Sequence, residues 1–372
     1  MRRQIRKFYR NCSGRVGSST AYSPGGRKGG SVGGRSPRGS SSAGGRAPLF
    51  PGISLPFGGR HGGQLVGRHL GHFLAYAAAV LFFLLVVPLV SVQLFPRLIE
   101  DVPKSSLDIT LPETVSIYIT DEEKTRSIPF EEYIVGVVAS EMPDTFDTEA
   151  LKAQAVASRT YALGRIRSGT QLCDTVHCQV YRDHDIDAKV RRAVKATAGQ
   201  VLVYDGKLAS QALYFSSSAG DTENAEDVFA NAYPYLVSVS SSYEPGATHK
   251  KEKVIMTLKE FRAAIKDAFP DEDFGSIKTS NIKVTGRTKG GRVDTLQIGD
   301  VVISGGDLRT ALGLYSTRFE ITTRGKKITI TTAGSGHGVG MSQYGANGLA
   351  KRGRGYRQIL KHYYKGVDVV AL

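Results

Sequence analysis

Residues 137–163 read VVASEMPDTFDTEALKAQAVASRTYAL: an apolar run ending on one acid, a proline break, then an alanine-rich second run. The first run extends back through PFEEYIVGVVAS, 129–140, and reads as a helix that Pro143 interrupts. Asp147 or Thr148 is placed to cap a new helix running through Gly164. Within it Leu151, Ala155, Ser158 and Ala162 share a face, the small-residue pattern of a closely packed helix. The acid is Glu141, preceded by Val137, Val138, Ala139 and Ser140 and followed by Met142 and Pro143. A carboxylic acid pressed among apolar groups resists ionisation, because desolvation disfavours charge. Such an acid keeps its proton near neutral pH and can give it to a leaving group. The alternative is a Glu near a helix N-terminus that only complements the dipole.

Upstream, charge is unevenly placed. Residues 1–72 hold 13 Lys and Arg and no Asp or Glu, so they carry +13 of the net +15. The remainder has 36 basic and 34 acidic residues and is nearly neutral. The first 72 residues, rich in Gly, Ser, Arg and Pro, lack the apolar surface to offset chain entropy and are predicted to be a disordered basic cytoplasmic tail. Its suggested role is attraction to anionic lipid headgroups. Nucleic acid is not expected as a partner, since Phe8, Tyr9 and Tyr22 are the tail's early aromatic platforms.

Phe73 to Phe95 is 23 residues without a charge, long enough to cross a hydrocarbon layer as a helix. Pro88 within it is tolerable in a membrane helix. A cleavable signal peptide would have a shorter apolar region nearer the start, so an uncleaved anchor is favoured. The positive-inside rule keeps the tail in the cytoplasm and sends residues 97–372 across the membrane as one extracytoplasmic catalytic domain.

That outer part, about 275 residues, suits one large domain or two closely joined lobes and reads as α+β, with helices and antiparallel sheet. Leu107 to Thr120 alternates as strands. Asp205-Gly206 between two apolar runs signals a tight hairpin, and Phe215 to Gly220, FSSSAG, a small polar loop. Residues 254–269 read as a helix with Thr257 near its start, and 277–332 as an antiparallel sheet with Gly turns. Short helices are expected around 341–352 and 356–364, and no internal repeat is apparent.

A second concentration of chemistry is GSGHGVGMSQYG, 334–345. Its five glycines allow close backbone approach to a ligand or sharp turns, and His337, Ser342, Gln343 and Tyr344 add polar groups. The alternative is a glycine-rich turn whose polar groups satisfy their own backbone. A third is CDTVHCQVY, with Cys173, His177 and Cys178 within six residues. Thiolates and imidazole are zinc ligands, and His184 is a candidate fourth; a short-loop disulfide is the rival. Cys12, in the tail, is expected to be a free thiol.

In order, EEYIVGVVASEMP, ALKAQAVASRTYAL, HCQVY, GQVLVYDG, FSSSAG and GHGVGMSQYGA resemble the stage II sporulation protein D family over most of residues 113–371. The resemblance implies a membrane-anchored lytic transglycosylase of spore-forming bacteria. It would cleave between N-acetylmuramic acid and N-acetylglucosamine, preferring strands stripped of stem peptides, and leave 1,6-anhydro ends. It implies a partner amidase, stage II sporulation protein P, alongside other engulfment membrane proteins, in the septal intermembrane space. Glu141 matches the family's catalytic Glu, and by resemblance Arg159 lines the same cleft. Tyr214, Ser217 and Ser218, with His337, Gln343 and Tyr344 opposite, are candidate substrate contacts. Zinc at Cys173, His177 and Cys178 follows some clostridial members, with one residue fewer here between the first Cys and the His. No organic cofactor is expected, and the long basic tail departs from the family pattern.

The chemistry of the residues fits that reaction. Glycoside hydrolysis normally needs two carboxylates. A transglycosylase manages with one, which first protonates the glycosidic oxygen and then deprotonates the sugar's own 6-hydroxyl. Glu131 and Glu132 are weaker candidates for a second carboxylate. A wall-binding module that enhances an amidase is the alternative function.

Overall fold

The computed structural model describes Tyr76, Ala77 and residues 79–82, 102–229 and 231–372. Two units are distinguished, Met1–Leu89 and Val90–Leu372. In the first, Tyr76, Ala77 and residues 79–82 are helical. The rest of the expected tail and span lies outside the described residues. Among the described residues, no helix is long and apolar enough to cross a membrane.

In the second unit, helix α1 (Phe130–Glu141) follows Pro129 and carries Glu131 and Glu132 in its first turn, where the dipole favours acids. Its residues from Tyr133 to Ala139 are all buried, as expected of a helix apolar on every side. It stops because Met142, the residue before Pro143, takes an extended conformation. Helix α2 (Thr148–Arg167) starts on the Asp147 side chain, which accepts from Glu149 N at 2.9 Å. Its buried Ala150, Ala153, Ala155, Ala157, Ser158 and Ala162 let four helices pack around it: α1, Ala188–Ala196, Gln343–Lys351 and Tyr356–Tyr363.

Among the described residues four small sheets edge this core, one of them the short antiparallel pair Gly220–Asp221 and Ser240–Ser241. Thr114–Ile119 pairs antiparallel with Lys124–Pro129 and parallel with Leu172–Cys173. The expected strand from Leu107 therefore begins only at Thr114: Pro112 cannot donate to a ladder, and the partner strand ends opposite Thr114. Gln200–Tyr204 runs between Asp368–Ala371 and Lys207–Leu208. The hairpin expected at Asp205-Gly206 is present, with φ of 48° and 67°. Tyr214–Phe215 pairs parallel with Met341–Ser342, which joins the two polar motifs.

Residues 252–332 fold around a second core that includes Phe261, Ile265, Leu296, Leu308 and Ile330. Two three-stranded antiparallel sheets replace the single one expected, because the edge strand Glu252–Thr257 comes from the front of the segment to pair with Lys327–Thr332. The helix expected from 254 thus starts at Leu258; β-branched Val254 and Ile255 belong to the strand, and Thr257 forms a capping box with Glu260. A repeat also appears. VIMTLKEFRAAI, 254–265, and VVISGGDLRTAL, 301–312, each run strand, hydroxyl cap, helix. Arg262 and Arg309, equivalent in the two, donate to the carbonyls of Ile277 and Leu314.

Candidate active site

Glu141 is the last residue of α1, not a first-turn residue. The dipole at that end disfavours a carboxylate, which removes the helix-start alternative. The side chain is half-buried, and desolvation pushes its pKa above 4.5. Three neighbours pull the other way. Val180 N reaches Oε1 at 3.0 Å, the Gln343 amide reaches Oε2 at 3.2 Å, and the nearby Tyr214 hydroxyl also favours the carboxylate.

Tyr214 is fixed from behind. Gln179, fully buried, donates its amide to the Tyr214 hydroxyl at 2.8 Å and accepts from Tyr133 at 3.2 Å. Ser158, which accepts from Gln154 at 3.0 Å, lies close enough to act on the Tyr214 hydroxyl as well. Burial holds Tyr214 well above its usual pKa, so it stays a donor. Gln179, Tyr133 and Gln154 were not singled out in the sequence. Their only signal is a polar group within apolar surroundings.

The remaining candidates fall in different places. His337 is a peg under Tyr214: Val339 N donates to Nδ1 and Nε2 donates to the Tyr214 carbonyl, both at 3.1 Å. Burial, then the charges of Arg292 and Arg309, lower its pKa to about 4, so it is neutral. Tyr344 packs edge-on against Phe146 at 5.0 Å beside Gln343. Ser217 and Ser218 are fully buried, and the Ser218 hydroxyl donates to the Asp221 carbonyl at 2.7 Å. Nearby Glu244, unflagged in the sequence, accepts from the backbone of Ser218 and Ala219 and from the hydroxyls of Ser241 and Ser342.

Arg159 is not brought to Glu141. It is fully buried, grips the Glu131 carboxylate with two bonds of 2.8 and 2.7 Å, and donates to the Gln200 carbonyl at 3.0 Å. One residue on a helix turns the side chain about 100°, so Ser158 faces Tyr214 while Arg159 faces away. Glu131 and, through Arg191 at 2.8 Å, Glu132 are held in ion pairs. The glycines approach their own chain: Gly338 has φ of 91°, and a Cβ there would lie 2.6 Å from Arg292 Nε. Arg292 and Glu223, both fully buried and 3.5 Å apart, tie residues 252–332 to this loop, with Arg292 also donating to the Gly336 carbonyl at 3.1 Å.

Both thiols of the Cys motif are free, and the donor atoms of Cys173, His177 and Cys178 lie within 4.8 Å of one another. His177 Nδ1 stands 3.8 Å from one sulfur and 3.6 Å from the other. Tetrahedral zinc with ordinary bond lengths needs donors about 3.5 Å apart, so this set fits with little movement. Cys173 drops to about 4 because Cys178 donates to it, and the Cys178 thiol rises in return. His184 is outside the cluster, exposed and 3.3 Å from Asp183. The next two residues after Cys178 are Gln179 and Val180, which serve Tyr214 and Glu141.

Comparison with known proteins agrees with this arrangement of motifs. A family model described as SpoIID, Stage II sporulation protein, matches residues 118–204. Stage II sporulation protein D of Bacillus amyloliquefaciens is 40% identical over 278 residues, which cover 69% of this chain and 79% of that protein. The protein of the same name from Bacillus subtilis is 39% identical over the same shares. An amidase enhancer of Bacillus subtilis is 31% identical over 288 residues, 63% of this chain and 40% of that protein. With such identity running through most of both chains, this protein belongs to the stage II sporulation protein D family.

Proposed function

We propose that this protein is a peptidoglycan lytic transglycosylase with Glu141 as its general acid and base. The supporting observation is that Glu141 is built for two protonation states. Burial favours the protonated acid, while Val180 N–H, Gln343 and Tyr214 receive the carboxylate. In the first half, the Glu141 proton passes to the oxygen between N-acetylmuramic acid and N-acetylglucosamine, and the C1–O bond breaks. In the second, the carboxylate takes the proton of the 6-hydroxyl, whose oxygen closes on C1. The products are an N-acetylglucosamine hydroxyl and a 1,6-anhydro end, with the acid reprotonated and no water used. One carboxylate is sufficient, and Glu131 and Glu132 are engaged with arginines.

The substrate is a glycan strand, preferably freed of stem peptide, and the partners are stage II sporulation protein P and other engulfment membrane proteins. Residues 73–95 anchor the chain, with the N-terminus cytoplasmic and residues 97–372 in the septal intermembrane space. Cys173, His177 and Cys178 would hold zinc, which supplies a structural clamp on the turn before Gln179. The full chain on denuded peptidoglycan tests this. Anhydro-ended fragments should appear by mass spectrometry, and Glu141→Gln should reduce their release about 10³-fold with binding retained. Unchanged release would sink the assignment.

The similarity to an amidase enhancer supports a second reading, a wall-binding protein without cleavage of its own. It predicts glycan binding and a faster amidase, with no anhydro ends in any digest.

A further inference from the structure

A cavity of about 410 Å³ opens between the 242–250 loop and Ser217, Ala219 and Gly334. That volume is in the range of small-ligand sites. It is distinct from the Glu141 site but coupled to it. Ser342 bonds Glu244 in the cavity wall, and the next residue, Gln343, bonds Glu141. The wall is preformed. Glu244 is buried under four groups that donate to it, and they hold Ala219 at φ of 56°, a left-handed conformation unusual for alanine.

Its lining has a particular chemistry. Tyr243 is 39% exposed, and the Arg352 guanidinium covers one face of its ring at 3.5 Å, so a ligand would meet the other face. Ser242 and Thr248 are exposed and bring hydroxyls. Lys250 is exposed and has no ion pair among the described residues, and the Glu244 carboxylate oxygens are taken up by two backbone N–H groups and two hydroxyls. An aromatic face suits the apolar C–H side of a pyranose, hydroxyls suit its rim, and a free ammonium calls for an anion.

We propose that this cavity is a second saccharide site, taking a wall-glycan unit that carries a free carboxylate, with Tyr243 against the ring and Lys250 on the carboxylate. The proposal rests on the wall-glycan reading of the Glu141 site. Two sources offer the carboxylate: the lactyl group of a muramyl unit after its peptide is removed, and the stem peptide itself. The lactyl group is the one attached to a ring, as the lining requires.

Full-length protein carrying Glu141→Gln is titrated with denuded glycan strands, with chitooligosaccharide of equal length lacking the carboxylate, and with free stem peptide. Denuded strands should bind about tenfold tighter than chitooligosaccharide, the gain of one effective ion pair. Lys250→Ala should erase that difference and Lys250→Arg preserve it. Tyr243→Ala should weaken both glycans, and amides of 242–250 should gain hydrogen-exchange protection with denuded strands. Equal affinity for the two glycans, or discrimination surviving Lys250→Ala, overturns the proposal. So does tighter binding of the free peptide. Cleavage is not part of this readout, so anhydro-ended products decide the Glu141 reading separately.

Discussion

Gln343 and Glu141, 202 residues apart in the chain, meet through an amide-to-carboxylate hydrogen bond of 3.2 Å. The bond stabilises the ionised form and so opposes the burial that raises the acid's pKa. Gln343→Leu removes a donor and leaves burial in place, so the Glu141 pKa rises further. The acid is active when protonated, so the alkaline limb of the pH–rate profile should move to higher pH. kcat should fall about tenfold, because the carboxylate formed mid-reaction loses a partner. An unmoved limb would separate Gln343 from the acid.

Tyr214→Phe takes away a hydroxyl that favours the Glu141 carboxylate and, on the other side, the nearer acceptor of the buried Gln179 amide. Activity and stability should both decline, the latter by about 1–3 kcal/mol for an unsatisfied buried group. The companion Tyr133→Phe leaves the buried Gln179 Oε1 without its donor at 3.2 Å and does not touch the Tyr214 hydroxyl. Denaturant melts should show a comparable loss for it, about 1–3 kcal/mol, with a smaller effect on activity.

His337 gives the fold a pH dependence with a definite sign. Its folded pKa is about 4 and its free value 6.5, so the unfolded chain binds the extra proton first. Its stabilising contribution is complete above 6.5 and is lost as pH falls toward 4, by at most about 3 kcal/mol. His337→Gln, a neutral side chain, should flatten stability over that interval in urea titrations. An unchanged slope would assign the acid sensitivity to other groups.

Glu223 and Arg292 show what sequence reading could not reach. Each is an ordinary charged residue in its own segment, and only their meeting at 3.5 Å makes them a fully buried pair. Arg159 is similar: by resemblance it was expected to line the cleft with Glu141, yet helical rotation sends it to Glu131, 28 residues back. What was legible was local. The Asp147 cap, the Asp205-Gly206 turn and the acid among apolar residues are each written within a few positions. Gln179, Glu244 and the Arg292 contact with the glycine loop depend on pairings across tens to hundreds of residues, which no local pattern encodes.

For that buried pair, Glu223→Ala should cost about 3–5 kcal/mol because it leaves the Arg292 charge uncompensated. Adding Arg292→Met should recover much of the loss, since an apolar pair has no charge to desolvate. Thermal unfolding of the single and double variants checks this, and additive losses would show the two side chains to be independent.

Metal removal offers the remaining prediction. Cys178 is followed directly by Gln179 and Val180, whose amides fix Tyr214 and Glu141. A cation on Cys173, His177 and Cys178 would clamp that turn from its other end. Dialysis against a chelator should therefore speed hydrogen exchange at the Val180 amide and lower the melting temperature. Zinc should restore both, whereas calcium, which seeks oxygen ligands, should not. Cys178→Ser should behave as the chelated protein with or without zinc. Exchange at Val180 that ignores chelation would mean the turn is held by its own hydrogen bonds, and zinc would then have no part in positioning the acid.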